Sequence, residues 1–224
     1  MGCRRNKWSK LHKSWRKSPI LHRNRLDSSA GKRKAGQCFC PVFLFFRQNF
    51  DSSILFEKLN IAKDNSYIEH LNKHNVIWID IASLYTDIRD KNDFFKELET
   101  NLLDDLNDAF PNVLKEMDNT ISKAIIRINS KLNERFIFLI DEWDVIYREQ
   151  EYNTKLCDEY TEFLRNLFKS SDVSACIDLV YMTGILPIRR YSTQSTLNMF
   201  TEYDMINPRE LDSFIGFTED EVKD

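Results

Sequence analysis

Two nearly continuous apolar runs, Val76-Ile-Trp-Ile-Asp-Ile81 and Phe136-Ile-Phe-Leu-Ile140, stand out from the polar chain around them. Short runs of β-branched and aromatic residues predict strands buried on both faces, as in a parallel sheet. A third run, Ile177-Asp-Leu-Val-Tyr-Met182, ends in Thr183-Gly184. Between the runs the apolar positions fall at helical spacing. Residues 92–110 put Phe94, Phe95, Leu98, Leu102 and Leu106 on one side, with Pro111 ending this helix or opening the next. Residues 113–132 carry a stripe of Ile121, Ala124, Ile125, Ile128 and Leu132. Leu156, Tyr160, Phe163, Leu164, Leu167 and Phe168 mark a further helix, ended by Ser170-Ser171. Strand, helices, strand, helix, strand is the order expected of an α/β doubly wound parallel sheet. Upstream lie a small apolar patch, Ile54-Leu-Phe56 with Leu59-Asn-Ile61, and a polar helix candidate over residues 67–74. Downstream, Thr218-Glu-Asp-Glu221 reads as a capping box opening a helix that is cut off at Asp224.

The second apolar run stops abruptly in Asp141, Glu142 and Asp144. A central parallel strand ending in carboxylates delivers them to the carboxyl edge of the sheet, where open α/β sheets bind ligands. An Asp there can hold Mg²⁺, directly or through water, and a Glu beside it can orient the water that attacks a γ-phosphate. This is the Walker B pattern of a P-loop nucleotide hydrolase. The competing reading is a core strand followed by an acidic helix N-terminus, where the dipole favours acids. Thr183 at the end of the next strand stands where such ATPases carry a polar residue that senses the γ-phosphate; it equally suits a hydroxyl capping the turn before Gly184.

Charge divides the chain. Residues 1–50 contain 13 Lys or Arg against one acid, Asp27, a net +12, whereas residues 51–224 hold 19 Lys or Arg against 34 acids, a net −15. The change predicts a boundary near Asp51, with a basic segment 1–50 and an α/β domain 51–224. Trp8 and Trp15 among the basic residues of 1–36 allow nucleic acid to be held by phosphate contacts and stacking, and disorder with incidental charge is the other reading. Five cysteines without a CxxC give neither a disulfide framework nor a zinc site, and His70 and His74 share only helical spacing. Pro41-Val-Phe-Leu-Phe-Phe46 is far short of the roughly 18–20 apolar residues that span a bilayer, and no secretory signal is recognisable. A cytoplasmic protein without membrane contact is expected.

Five blocks in order, Leu55-Phe-Glu-Lys-Leu59, Val76-Ile-Trp-Ile-Asp80, Phe138-Leu-Ile-Asp-Glu-Trp-Asp144, Met182-Thr-Gly-Ile-Leu-Pro-Ile188 and Gly216-Phe-Thr-Glu-Asp-Glu-Val222, resemble the bacterial AAA-ATPase-like family. The resemblance covers about residues 51–224. It implies a P-loop NTPase-like parallel sheet flanked by helices, with ATP and Mg²⁺ as cofactors and, in many members, a following nuclease-like domain. It places the Walker B acids on Asp141 (the Mg²⁺ ligand) and Glu142, a further acid on Asp144, and the strand-end Thr-Gly on Thr183 and Gly184. A basic residue after Leu-Pro-Ile in the family puts Arg189 or Arg190 toward the nucleotide, with an exposed basic pair as the alternative.

The family also has a phosphate loop ending in Gly-Lys-Ser/Thr upstream of Asp51. Its amides cradle the phosphates, its Lys meets the β/γ oxygens and its hydroxyl ligates Mg²⁺. Neither Gly-Lys-Ser nor Gly-Lys-Thr occurs here: Gly31-Lys32 is followed by Arg33, and Lys17-Ser18 lacks the glycine. An irregular basic segment stands where the first strand and loop belong. The expectation is a domain incomplete at both ends, its residues 1–50 disordered or translated from another reading frame. Reading the DNA in its other two frames should then reveal a Gly-Lys-Ser/Thr loop within a few dozen codons of Asp51. The expected function is an ATPase-like domain, with catalytic Glu142 and Thr183, impaired by the missing loop. The alternatives are a non-enzymatic module whose basic tail binds nucleic acid while the acidic domain meets a protein, and a truncated relic.

Overall fold

The computed structural model describes residues 45–49, 51–88, 93–149, 153–187 and 199–204. The tail 1–36 with Lys17, Ser18, Gly31 and Lys32, the pair Arg189 and Arg190, and the capping box at 218–221 lie outside the described residues. The chain divides into two units, Met1–Lys73 with Glu202–Asp224, and His74–Thr201.

In the first unit, helix α1 (Ser53–Phe56), a 3-10 turn (Asn60–Lys63) and helix α2 (Tyr67–His70) are each about one turn long. Their core is aromatic: Phe45 meets Phe56 edge-on at 5.2 Å and Tyr67 at 5.8 Å. Packing therefore runs across Asp51, where the charge changes sign, because Phe45 is buried for its apolar surface whatever the charge of its sequence neighbours. Asn72 ties the unit together. Its Oδ1 accepts from Ser52 N at 3.1 Å and its Nδ2 donates to Arg47 O at 3.0 Å. The helix anticipated over residues 67–74 ends at His70, since Asn72 adopts a left-handed φ of 57°. His70 and His74 consequently share no helical face.

Among its described residues the second unit holds three parallel strands in the order β1 (Asn75–Asp80), β2 (Phe136–Asp141), β3 (Ile177–Met182). β2 is central and buried from Phe136 to Ile140, as its unbroken apolar run requires. Its helices are α3 (Ile81–Asp87), α4 (Phe94–Ala109), α5 (Ile121–Leu132), α6 (Val145–Glu149), α7 (Thr154–Phe168) and α8 (Ser171–Ser174). A three-stranded parallel sheet flanked by helices is the α/β class read from the sequence. Phe94, Leu98, Ile125, Ile128, Tyr160 and Leu164 are fully enclosed against the sheet, so the helical stripes face the core except at Leu132, which lies exposed at the last turn of α5.

Helix α5 begins at Ile121, not near residue 113. Asp118 accepts from Lys115 N and Arg127 Nε, both at 3.0 Å, and the Thr120 hydroxyl accepts from Lys123 N. Side-chain oxygens that capture nearby amides compete with helix and place its start after them. At the other end Asn133 takes a left-handed φ of 58° and closes the helix. At the amino edge of the sheet, β3 carries one extra residue at Asp178, where Phe136 pairs with Ile177 but Ile137 with Leu179. Arg135 fills the irregularity, pairing with Asp178 and donating to the carbonyls of Ala175 and Ile177. Among the described strands β3 lies at the edge, with Leu179 and Tyr181 exposed. No helix of the described residues is long and apolar enough to cross a membrane.

The register also aligns Asp80 with Asp141 across β1 and β2. Asp80 is spent locally: Oδ1 accepts from Ser83 N at 2.9 Å and Oδ2 from Ser83 Oγ at 2.6 Å, capping α3. Asp80→Ala should lower stability by about 1 kcal/mol, read as an earlier urea midpoint at unchanged slope. An unmoved midpoint would mean that water serves the first turn of α3 equally well.

Candidate functional site

The site forms where β2 and β3 end side by side. Thr183 N donates to Ile140 O at 2.9 Å and Trp143 N donates to Thr183 O at 3.0 Å, so the two strands stay paired past their last residues. This pairing brings the Thr183 hydroxyl onto Asp141, to which it donates through Oγ1 to Oδ1. Two residues 42 positions apart thus meet at the carboxyl edge of the sheet. Asp141 Oδ1 also accepts from Glu142 N at 3.1 Å.

Immediately after Asp141 the backbone reverses. Glu142 has φ 52°, a left-handed conformation that non-glycine residues adopt uncommonly. The turn lifts its side chain to the rim, where it pairs with the guanidinium of Arg148 on α6. The side chain of Glu142 is 41% exposed and that of Arg148 27%. A carboxylate with this access can meet solvent or ligand.

Asp144 differs from its neighbours in the same acidic run. Its side chain has no exposed surface. Oδ2 accepts from Leu186 N at 2.9 Å and Ile185 N at 3.2 Å, and Arg148 Nε lies 3.2 Å away as an ion-pair partner. A charge this enclosed persists only when donors and an opposite charge offset its lost hydration. The phenol of Tyr160 nearby is pushed well above its ordinary range, by burial first and then by Tyr147 and Asp144, so it stays neutral. Tyr147, which donates to or accepts from Thr161 Oγ1 at 2.8 Å, is pushed up to about 12, chiefly by burial.

Gly184 explains how the loops approach so closely. A β-carbon there would stand 2.5 Å from Trp143 Cδ1 and 2.6 Å from Asp144 Oδ1. The strand-end glycine read from the sequence is a packing requirement of the Asp144 contact.

Of the predicted site residues, the structure gathers Asp141, Glu142, Asp144 and Thr183 at one edge. Arg189 and Arg190 lie outside the described residues. Arg148 is the residue that sequence reading missed. Its only signal is i,i+4 spacing from Asp144, a pattern common on any helix. Among the described residues no three His, Cys, Asp or Glu side chains converge as a metal cage. Mg²⁺ commonly takes one or two carboxylates with water and phosphate oxygens, and the Asp141 carboxylate with the Thr183 hydroxyl beside it is chemically able to serve as such a ligand.

No curated protein and no solved structure matches the chain. A family model described as "Predicted AAA-ATPase" matches residues 42–193, more than half of the chain, starting upstream of Asp51 and including both strand ends of the site. The chain belongs to the AAA-ATPase-like family.

Proposed function

We propose that the edge formed by Asp141, Glu142 and Thr183 is the Mg-nucleotide end of an ATP-hydrolysing site, and that the chain with its present residues 1–50 is impaired in binding ATP. The observation that carries this reading is the Thr183–Asp141 hydrogen bond, which joins the ends of two adjacent parallel strands beside an accessible glutamate. Asp141 would bind Mg²⁺, which when bound would neutralise charge on the phosphate oxygens. Glu142 would orient the attacking water and accept its proton. Thr183 would hold Asp141 in place and stand near enough to respond to the phosphate. Asp144, with no accessible surface, would act through the groups that it holds and not by touching the nucleotide.

The impairment follows from charge. Phosphoryl transfer depends on positioned amides and a cation around the phosphates, and the Gly-Lys-Ser/Thr loop that supplies them is missing from the sequence. Among the described residues the rim presents the Glu142 carboxylate, and the guanidinium beside it, Arg148, is already paired to Glu142 and to the buried Asp144. Calorimetric titration of the 224-residue chain with Mg-ATP should give no binding heat. Micromolar affinity would show that another part of the chain supplies the cradle, and would overturn the impairment.

A further inference from the structure

We propose that Asp144 and Arg148 form a positioning unit that couples Glu142 to the segment following Thr183, so that the two members of the proposed catalytic pair are held by one buried charge. Calling that pair catalytic rests on the function proposed above; the coupling between its members does not.

Asp144 Oδ2 gathers the amides of Ile185 and Leu186 and the Nε side of Arg148 on a single oxygen. The amides come from the chain just after Thr183, and Gly184 lets that chain pass against Trp143 and Asp144 with nothing between. Arg148 turns its Nη2 to Glu142. The guanidinium thus faces two carboxylates from different edges of its plane, by a hydrogen bond to Glu142 and by an ion pair without a hydrogen bond to Asp144, a reach that a lysine ammonium at the same place cannot reproduce. Glu142 needs such a hold, because its left-handed φ of 52° is costly for a side chain with a β-carbon. Ile185 is 71% exposed while its amide faces inward. Any displacement of residues 185–186 is therefore passed to Asp144, from there to Arg148, and so to the orientation of Glu142.

The test uses the full 224-residue chain without nucleotide. Backbone carbon chemical shifts of Glu142 report its left-handed conformation, and amide hydrogen exchange reports the hold on Ile185 and Leu186. In Asp144→Asn, exchange at Ile185 and Leu186 should rise by about tenfold or more while Ile140 in β2 changes little. The Glu142 shifts should move in the same variant. Arg148→Gln should move the Glu142 shifts in the same direction, and the double variant should add nothing further there, since both changes break one chain of contacts. Arg148→Lys should fail to restore them. A general loosening of the fold would instead raise exchange at Ile140 as well. Glu142 shifts that stay put in Arg148→Gln, that move additively in the double variant, or that Arg148→Lys restores would overturn the coupling. Should Asp144→Asn fail to fold, Arg148→Gln decides, because Arg148 lies at the partly exposed end of the cluster: exchange at Ile185 and Leu186 should rise along with the movement of the Glu142 shifts, and unchanged exchange there would overturn the coupling. Unmoved Glu142 shifts would leave the nucleotide reading intact, whereas loss of that reading would leave the coupling intact.

Discussion

Placing a strand and loop that carry Gly-Lys-Thr ahead of residue 42, where the family match begins, is expected to restore Mg-ATP binding, and Glu142→Gln in that chain should bind ATP normally while hydrolysis falls about 10²- to 10⁴-fold. Glutamine keeps the length and hydrogen-bonding shape of the side chain but cannot accept the proton of the attacking water. Arg148 would still find an oxygen to bond, so the turn at Glu142 should survive the change. Asp141→Asn should behave differently, weakening Mg-ATP binding itself, because it removes the carboxylate proposed to hold the ion. Single-turnover phosphate release beside calorimetric affinity separates the two. Equal turnover in the Glu142→Gln chain would remove Glu142 from the chemistry. Failure of the restored chain to bind at all would remove the nucleotide reading of this edge.

The second large effect is on stability. Asp144→Ala should cost about 3–5 kcal/mol, because it strands a buried guanidinium edge and two inward-facing amides. Gly184→Ala should cost about 1–3 kcal/mol by driving a methyl group into the indole of Trp143, which is itself buried. Glu142→Ala removes a pair that is open to solvent and should cost no more than about 1 kcal/mol. Urea unfolding followed by circular dichroism orders the three. Were Glu142→Ala the most damaging, Asp144 would not be the charge on which the two loops depend.

The three acids after β2 also mark how far residue type can be read. Asp141, Glu142 and Asp144 look equivalent in the sequence, and a strand that ends in them announces an acidic sheet edge. Their separation into a hydroxyl-bonded aspartate, a rim glutamate and a fully enclosed aspartate depends on the left-handed turn at Glu142. No local pattern announces that turn. Arg148 is illegible for a related reason: an arginine on a short helix is ordinary until its two partners are known.

Strand β2 was legible for the opposite reason. Five apolar residues in succession can be satisfied only between two covered faces, so burial, strand and central place come together. The stripe from Ile121 to Leu132 marks α5 from its first residue, but nothing in it tells that Asp118 captures the Lys115 amide and Thr120 caps the first turn, so residues 113–120 stay outside the helix.

Periodicity and the points where apolar runs stop are enough to give the class of fold, the order of strands and helices, and the delivery of carboxylates to one edge. Which carboxylate is sealed and which is open, and the closing of Thr183, Gly184, Ile185 and Leu186 over the end of β2, come from the packing of segments far apart in the chain. Those outcomes depend on contacts across some 40 positions of chain, where a buried charge is tolerated only if distant amides and a guanidinium arrive to meet it.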